Sequence, residues 1–160
     1  MQINCYDKIK IFYGSDCAKR SKVPLINHIN EGLIILDFLK ASDYAKDAFC
    51  LHPLMQDSSV LLESLEDSFF DSVCSKTIML CMEYRHVANS FLSKKKKENT
   101  SALINEDLRH MLIADKVQNY KDFLKYHKGT HKDSEQLDAY FNEWFDILNI
   151  DYNEIVSKVF

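Results

Sequence analysis

A chain of 160 residues and 18.7 kDa is long enough to bury one substantial core and short for two. Charged residues make up 28% and apolar residues 46%, the balance of an ordinary globular domain rather than a disordered one. The net charge of −4 argues against nucleic acid as a partner, and no apolar run is long enough to predict a membrane span or a signal peptide.

Only 3 glycines and 2 prolines occur, which points away from an all-β fold and toward helices joined by short polar loops. The five cysteines are scattered and odd in number, with no paired spacing. Cys50, Cys74 and Cys81 lie in apolar stretches and read as small core residues, so a reducing, cytoplasmic setting is expected.

In chain order, residues 2–13 read as a first helix, although Ile9-Lys10-Ile11 also fits a short strand. Gly14-Ser15-Asp16 breaks it, and the basic cluster Lys19, Arg20 and Lys22 follows. Pro24 suits the first turn of a second helix reaching Phe38, with His28 on its apolar face. Ser42 or Asp43 caps a helix over Tyr44–Leu51, predicted to stop at His52 because proline disfavours helical backbone in the residue before it. Gln56-Asp57-Ser58 opens another helix, over Val60–Phe69 or continuous with the next.

The next helix, Lys76–Leu92, carries an apolar face of Ile78, Met79, Met82, Val87, Phe91 and Leu92, with Tyr84, Arg85, His86 and Asn89 on its polar side. Lys94–Thr100 reads as a solvated loop. A helix over 105–126 ends in cations with Gly129 at its C-cap. Thr130 or Asp133 caps a helix whose stripe of Leu137, Tyr140, Phe141, Trp144, Phe145 and Leu148 is core or a dimer seam. A short terminal helix covers Tyr152–Val159. The expected architecture is all-α, a single domain of about six helices over residues 1–160.

His28, His52 and Asp115 form one candidate metal set, since each sits beside apolar residues on or at the end of a helix. Two imidazoles and a carboxylate suit divalent transition ions. A hydrogen-bonded core histidine is the plainer reading of each imidazole taken alone. Arg85 is either an ordinary surface residue or a cation reaching Asp115 or Asp122. The loop His127–His131 reads as helix capping or as an anion site.

Three separated words carry a family resemblance: Arg20-Ser21-Lys22-Val23-Pro24-Leu25-Ile26-Asn27-His28, Ala48-Phe49-Cys50-Leu51-His52, and Leu112-Ile113-Ala114-Asp115-Lys116-Val117-Gln118-Asn119. In this order and spacing they resemble the HD-domain phosphohydrolases. Within these, the nearest likeness is to the hydrolase domain of the RelA/SpoT guanosine-tetraphosphate enzymes. The likeness spans about residues 16–123, with the helices of 130–160 expected to pack on that core.

It implies an HD-like helical bundle in which His28, His52 and Asp115 bind manganese or zinc. It also implies that Lys19, Arg20 and Lys22 face nucleotide phosphates, and that Lys116 and Asn119 lie near ribose or base. Two departures stand out. Pro53 occupies the place of the aspartate in the family's His-Asp pair, and Gln56 that of its catalytic glutamate. Proline offers no ligand, and an amide cannot take up a proton near neutral pH.

The resemblance therefore implies a catalytically impaired module binding a guanosine-type nucleotide or a host protein, with no metal or a weakly held one. A phage or mobile element is a natural home for such a small scaffold. The alternative is a metal-dependent nucleotide pyrophosphohydrolase in which Asp57 or Glu31 replaces the lost base. Any oligomer is expected to form through the C-terminal aromatic helix.

Overall fold

A computed structural model describes residues 4–61, 70–92 and 105–160. Seven helices are bounded among them: α1 Cys5–Tyr13, α2 Ile26–Phe38, α3 Asp43–Gln56, α4 Ser75–Leu92, α5 Glu106–Tyr126, α6 Ser134–Leu148 and α7 Tyr152–Val159. No strand occurs among the described residues, and the fold is all-α in a single domain; the one β-type pairing is an isolated bridge between Cys17 and Pro24. No helix described is long and apolar enough to cross a membrane. The Lys94–Thr100 loop and most of the helix expected over Val60–Phe69 lie outside the described residues.

Helix starts follow side-chain chemistry. Asn4, Ser42, Asn105 and Asp151 each accept a hydrogen bond from a first-turn amide, satisfying donors that have no partner within the helix. The centre of the molecule is α5, which packs against α2, α3, α4, α6 and α7. Its inward residues Leu108, Met111, Leu112, Ile113, Ala114 and Val117 are buried. Each such large aliphatic side chain contributes about 1.5–3 kcal/mol by leaving water.

The aromatic stripe of α6 is core: Phe141, Trp144, Phe145 and Leu148 are buried within this chain, and α6 packs on α5. At position 32, α2 and α3 approach so closely that a Cβ on Gly32 would stand 2.1 Å from the Phe49 ring.

The structure corrects several expectations. Helix α3 does not stop at His52 but runs through Pro53 to Gln56. The buried face of α4 is Thr77, Leu80, Cys81, Tyr84 and Ala88, while Met79 and Met82 are exposed. This face meets α3, where Cys81 donates to the Ala48 carbonyl and Tyr84 lies against His52. The short side chains of Cys81, Ala88 and Ala48 permit that approach, so methionine periodicity pointed to the wrong side.

Arg85 donates to the Met55 carbonyl at 2.8 Å and to Ser58 Oγ at 2.7 Å, closing the C-terminal end of α3 rather than reaching Asp115 or Asp122. Cys74 is exposed and Cys5 is the third buried cysteine, with Cys50 and Cys81. The C-cap of α5 is His127, and Gly129 follows with a φ of +78°.

Candidate metal centre

Along α5, Asp115, Gln118, Asn119 and Asp122 recur at three- and four-residue spacing and so share one face. That face lines a cleft of about 390 Å³ together with His28 of α2, His52, Pro53 and Gln56 of α3, Ser21 and Val23–Leu25 on the approach to α2, and His127. His28, His52 and Asp115 meet at its floor. His28 Nε2 lies 3.3 Å from His52 Nε2 and 3.5 Å from Asp115 Oδ1, and His52 Nε2 lies 3.8 Å from the same oxygen.

The far side of each imidazole fixes which nitrogen carries hydrogen. Gln118 donates through its Nε2 to Glu31 at 3.0 Å and Asp122 at 2.9 Å, so its Oε1 must be the atom facing His28 Nδ1 at 2.7 Å. That oxygen accepts, and His28 Nδ1 therefore donates. His52 Nδ1 lies 2.6 Å from the Phe49 carbonyl, which can only accept, so His52 Nδ1 donates too.

Each ring thus turns Nε2 toward the other ring and toward a carboxylate oxygen. Three lone-pair atoms facing one another at these distances repel unless a cation or a proton stands among them. In tetrahedral coordination, metal–ligand bonds of about 2.0–2.2 Å place neighbouring ligand atoms about 3.3–3.6 Å apart. The two separations made by His28, 3.3 and 3.5 Å, fall within that edge length and the third, 3.8 Å, is slightly longer, so these residues fit a divalent transition ion with a small adjustment of His52 or Asp115.

The rest of the surroundings supports Asp115 as an anion. Its Oδ1 accepts from Asn119 at 2.8 Å and its Oδ2 from Lys116 at 2.7 Å. Burial pushes this carboxyl up, but the Lys116 ammonium, with His28 and His52, outweighs it and holds the group below the usual carboxylate range. Lys116 is itself only 5% exposed. Its ammonium sits 5.2 Å from the Trp144 ring centroid and 5.6 Å from that of Tyr140, a cation–π cage supplied by α6. Burial and the nearby Asp115 push the Tyr84 hydroxyl well above its ordinary range, which keeps it a neutral donor beside the site.

His52 is driven the other way. Burial, and then the neighbouring His28, lower it to about 3. An unfolded histidine takes up a proton near pH ~6.5, so below that pH the unfolded chain binds the proton that folded His52 refuses. Stability of the metal-free protein is accordingly expected to fall as pH drops from 7 toward 5. The depressed Asp115 carboxyl adds its own loss only at lower pH, because its contribution persists down to the unfolded carboxylate range. Urea unfolding at a series of pH values checks this: a flat midpoint between pH 7 and 5 contradicts the buried neutral imidazole.

The remaining candidates are dispersed. Asn119 reaches the centre through Asp115 and lines the cleft, whereas Lys116 lies behind Asp115 and is not among the lining residues. Lys19, Arg20 and Lys22 are exposed on the loop before α2 and are not among the lining residues either. Asp57 is exposed and caps a turn by accepting from the Ser59 and Val60 amides. Glu31 pairs with Lys121 at 3.0 Å and Gln118.

Sequence reasoning missed the role of Gln118 and placed Tyr84 on the polar side of its helix, whereas Tyr84 is buried against His52. The only signal for Gln118 was its place one turn after Asp115, and for Tyr84 the small-residue face it shares with Cys81 and Ala88. No protein-family model, curated protein or solved structure matches the chain.

Proposed function

We propose that His28, His52 and Asp115 hold a divalent transition ion, and that the protein is a metal-centred, HD-like module that binds a ligand in its cleft without hydrolysing it. The single observation carrying this reading is the meeting of two imidazole nitrogens and a carboxylate oxygen within 3.3–3.8 Å of one another, each side chain oriented by a second hydrogen bond. Three protein ligands leave further coordination positions open on the cleft side. A bound ion supplies Lewis acidity toward an anionic group such as a phosphoryl oxygen. The resemblance to the RelA/SpoT branch makes a guanosine-type nucleotide the first ligand to test.

Loss of turnover follows from the carboxylates around the cleft, which are committed elsewhere. Asp122 accepts from Gln118 and from Lys121 at 2.8 Å, Glu31 is held by the same two side chains, and Asp57 serves as a cap. Gln56 lines the cleft but has no proton-accepting group of suitable basicity. The second reading, a pyrophosphohydrolase with Glu31 or Asp57 as base, draws its support from the open coordination positions.

Elemental analysis of protein purified without chelator should find about one zinc or manganese per chain, the ratio set by a single three-ligand site. A pyrophosphohydrolase assay with manganese and guanosine tetraphosphate should then release no product. Product release abolished by Glu31→Gln or Asp57→Asn establishes the second reading instead. Failure to bind either metal on titration rejects both.

A further inference from the structure

A proline inside a helix removes one amide hydrogen and so leaves the carbonyl four residues earlier without its helical donor. For Pro53 in α3 that carbonyl belongs to Phe49. Phe49 is fully buried, so water cannot take the donor's place, and an unsatisfied buried carbonyl costs about 1–3 kcal/mol. The donor that replaces it is the His52 ring, whose Nδ1 stands 2.6 Å from the Phe49 oxygen. Pro53 thus frees the acceptor that holds His52 with its hydrogen on Nδ1 and its lone pair on Nε2, facing His28 and Asp115.

We infer that Pro53 is a positioning residue, freeing the Phe49 carbonyl so that it can set the tautomer and orientation of His52. Pro53 then does more than withhold a ligand: its missing amide hydrogen leaves free the carbonyl that orients the neighbouring imidazole. Three further observations agree. The helix continues unbroken to Gln56, so the proline is accommodated in place. The Phe49 and Tyr84 rings each lie 4.8 Å from the His52 ring, and His52 is buried, which leaves the imidazole little room to turn. Gln118 does for His28 what the Phe49 carbonyl does for His52. The consequence for affinity rests on the metal reading above; the tautomer does not.

The test is nitrogen NMR of the histidine rings in metal-free protein, comparing the natural chain with Pro53→Ala. The substitution restores an amide whose helical acceptor is the same Phe49 carbonyl, and alanine favours helix, so the fold is retained. In the natural chain His52 should show a protonated Nδ1, an unprotonated Nε2 and a scalar coupling from Nδ1 to the Phe49 carbonyl carbon. In P53A that coupling should weaken and the Nε2-protonated tautomer should grow. Zinc affinity should fall about tenfold, the low end of the loss seen when an orienting partner of a ligating histidine is disturbed. Pro53→Ser restores the same amide and should behave alike.

A natural chain with hydrogen on His52 Nε2, or a tautomer unchanged in both variants, overturns the inference while leaving the metal reading intact. A tautomer that shifts in protein that binds no zinc upholds the positioning role and rejects the metal centre.

Discussion

Asp115→Ala is expected to destabilise the protein by about 3–5 kcal/mol, the usual cost of removing one member of a buried ion pair. The cost falls on Lys116. Its ammonium is buried between Asp115, Trp144 and Tyr140, and without the carboxylate it is left with aromatic faces and the Tyr140 side chain, none of which carries a full counter-charge. Asn119 loses its acceptor in the same step. The site also loses its anionic ligand, so zinc binding should disappear.

The two effects separate in the double variant Asp115→Leu/Lys116→Met. Replacing both charges by apolar groups of similar size is often neutral for stability, so this variant should regain most of the lost stability and still bind no zinc. Urea unfolding together with zinc titration reads both quantities. An Asp115→Ala protein with undiminished stability would mean that Lys116 is not held as a buried cation.

Gly32→Ala should be the most damaging small substitution in the chain. The added Cβ would lie 2.1 Å from Cε1 and 2.2 Å from Cζ of Phe49, a ring with no exposed surface into which to retreat. Overpacking of this kind costs about 1–3 kcal/mol and sometimes more, against about 0.5–1 kcal/mol gained by replacing glycine in a helix. The net loss should exceed what stability alone reports. Gly32 lies one turn beyond His28, and Phe49 one turn before His52, so separating α2 from α3 here also separates the two imidazoles. The double variant Gly32→Ala/Phe49→Leu should recover stability, and a double-mutant cycle measures the coupling. Additive effects would show that the two residues do not meet.

Much of the helical framework can be read from local chemistry. Asn105, Ser42 and Asp151 cap where a short polar side chain precedes an apolar-periodic run, and the terminal helix Tyr152–Val159 falls where its spacing puts it. The convergence of His28, His52 and Asp115 was legible only through three separated words, since spacing says nothing about which helices become neighbours.

The errors have a common source, in that local rules yielded to contacts from elsewhere. Proline strains the turn before it and strips one carbonyl of its helical donor, and here the preceding histidine supplies a replacement donor while α3 continues to Gln56. Methionines suggested one face of α4, but close packing on α3 chose the face with cysteine and alanine. Arg85 was drawn to backbone at the end of α3 because that end presents unpaired carbonyls. Gln118 offers no compositional clue, yet its amide decides the orientation of His28.

Because the three donor side chains come from α2, α3 and α5, an ion seated between them would act on this chain as a reversible cross-link. It would join segments that are remote along the backbone; His28 and His52 alone are 24 residues apart. Ligation that exists only in the folded state stabilises by mass action, by about 2.7 kcal/mol when free ion stands at a hundred times its dissociation constant. Thermal tolerance of the protein would therefore track the free-metal level of its surroundings, and starvation for that ion would loosen all three helices at once.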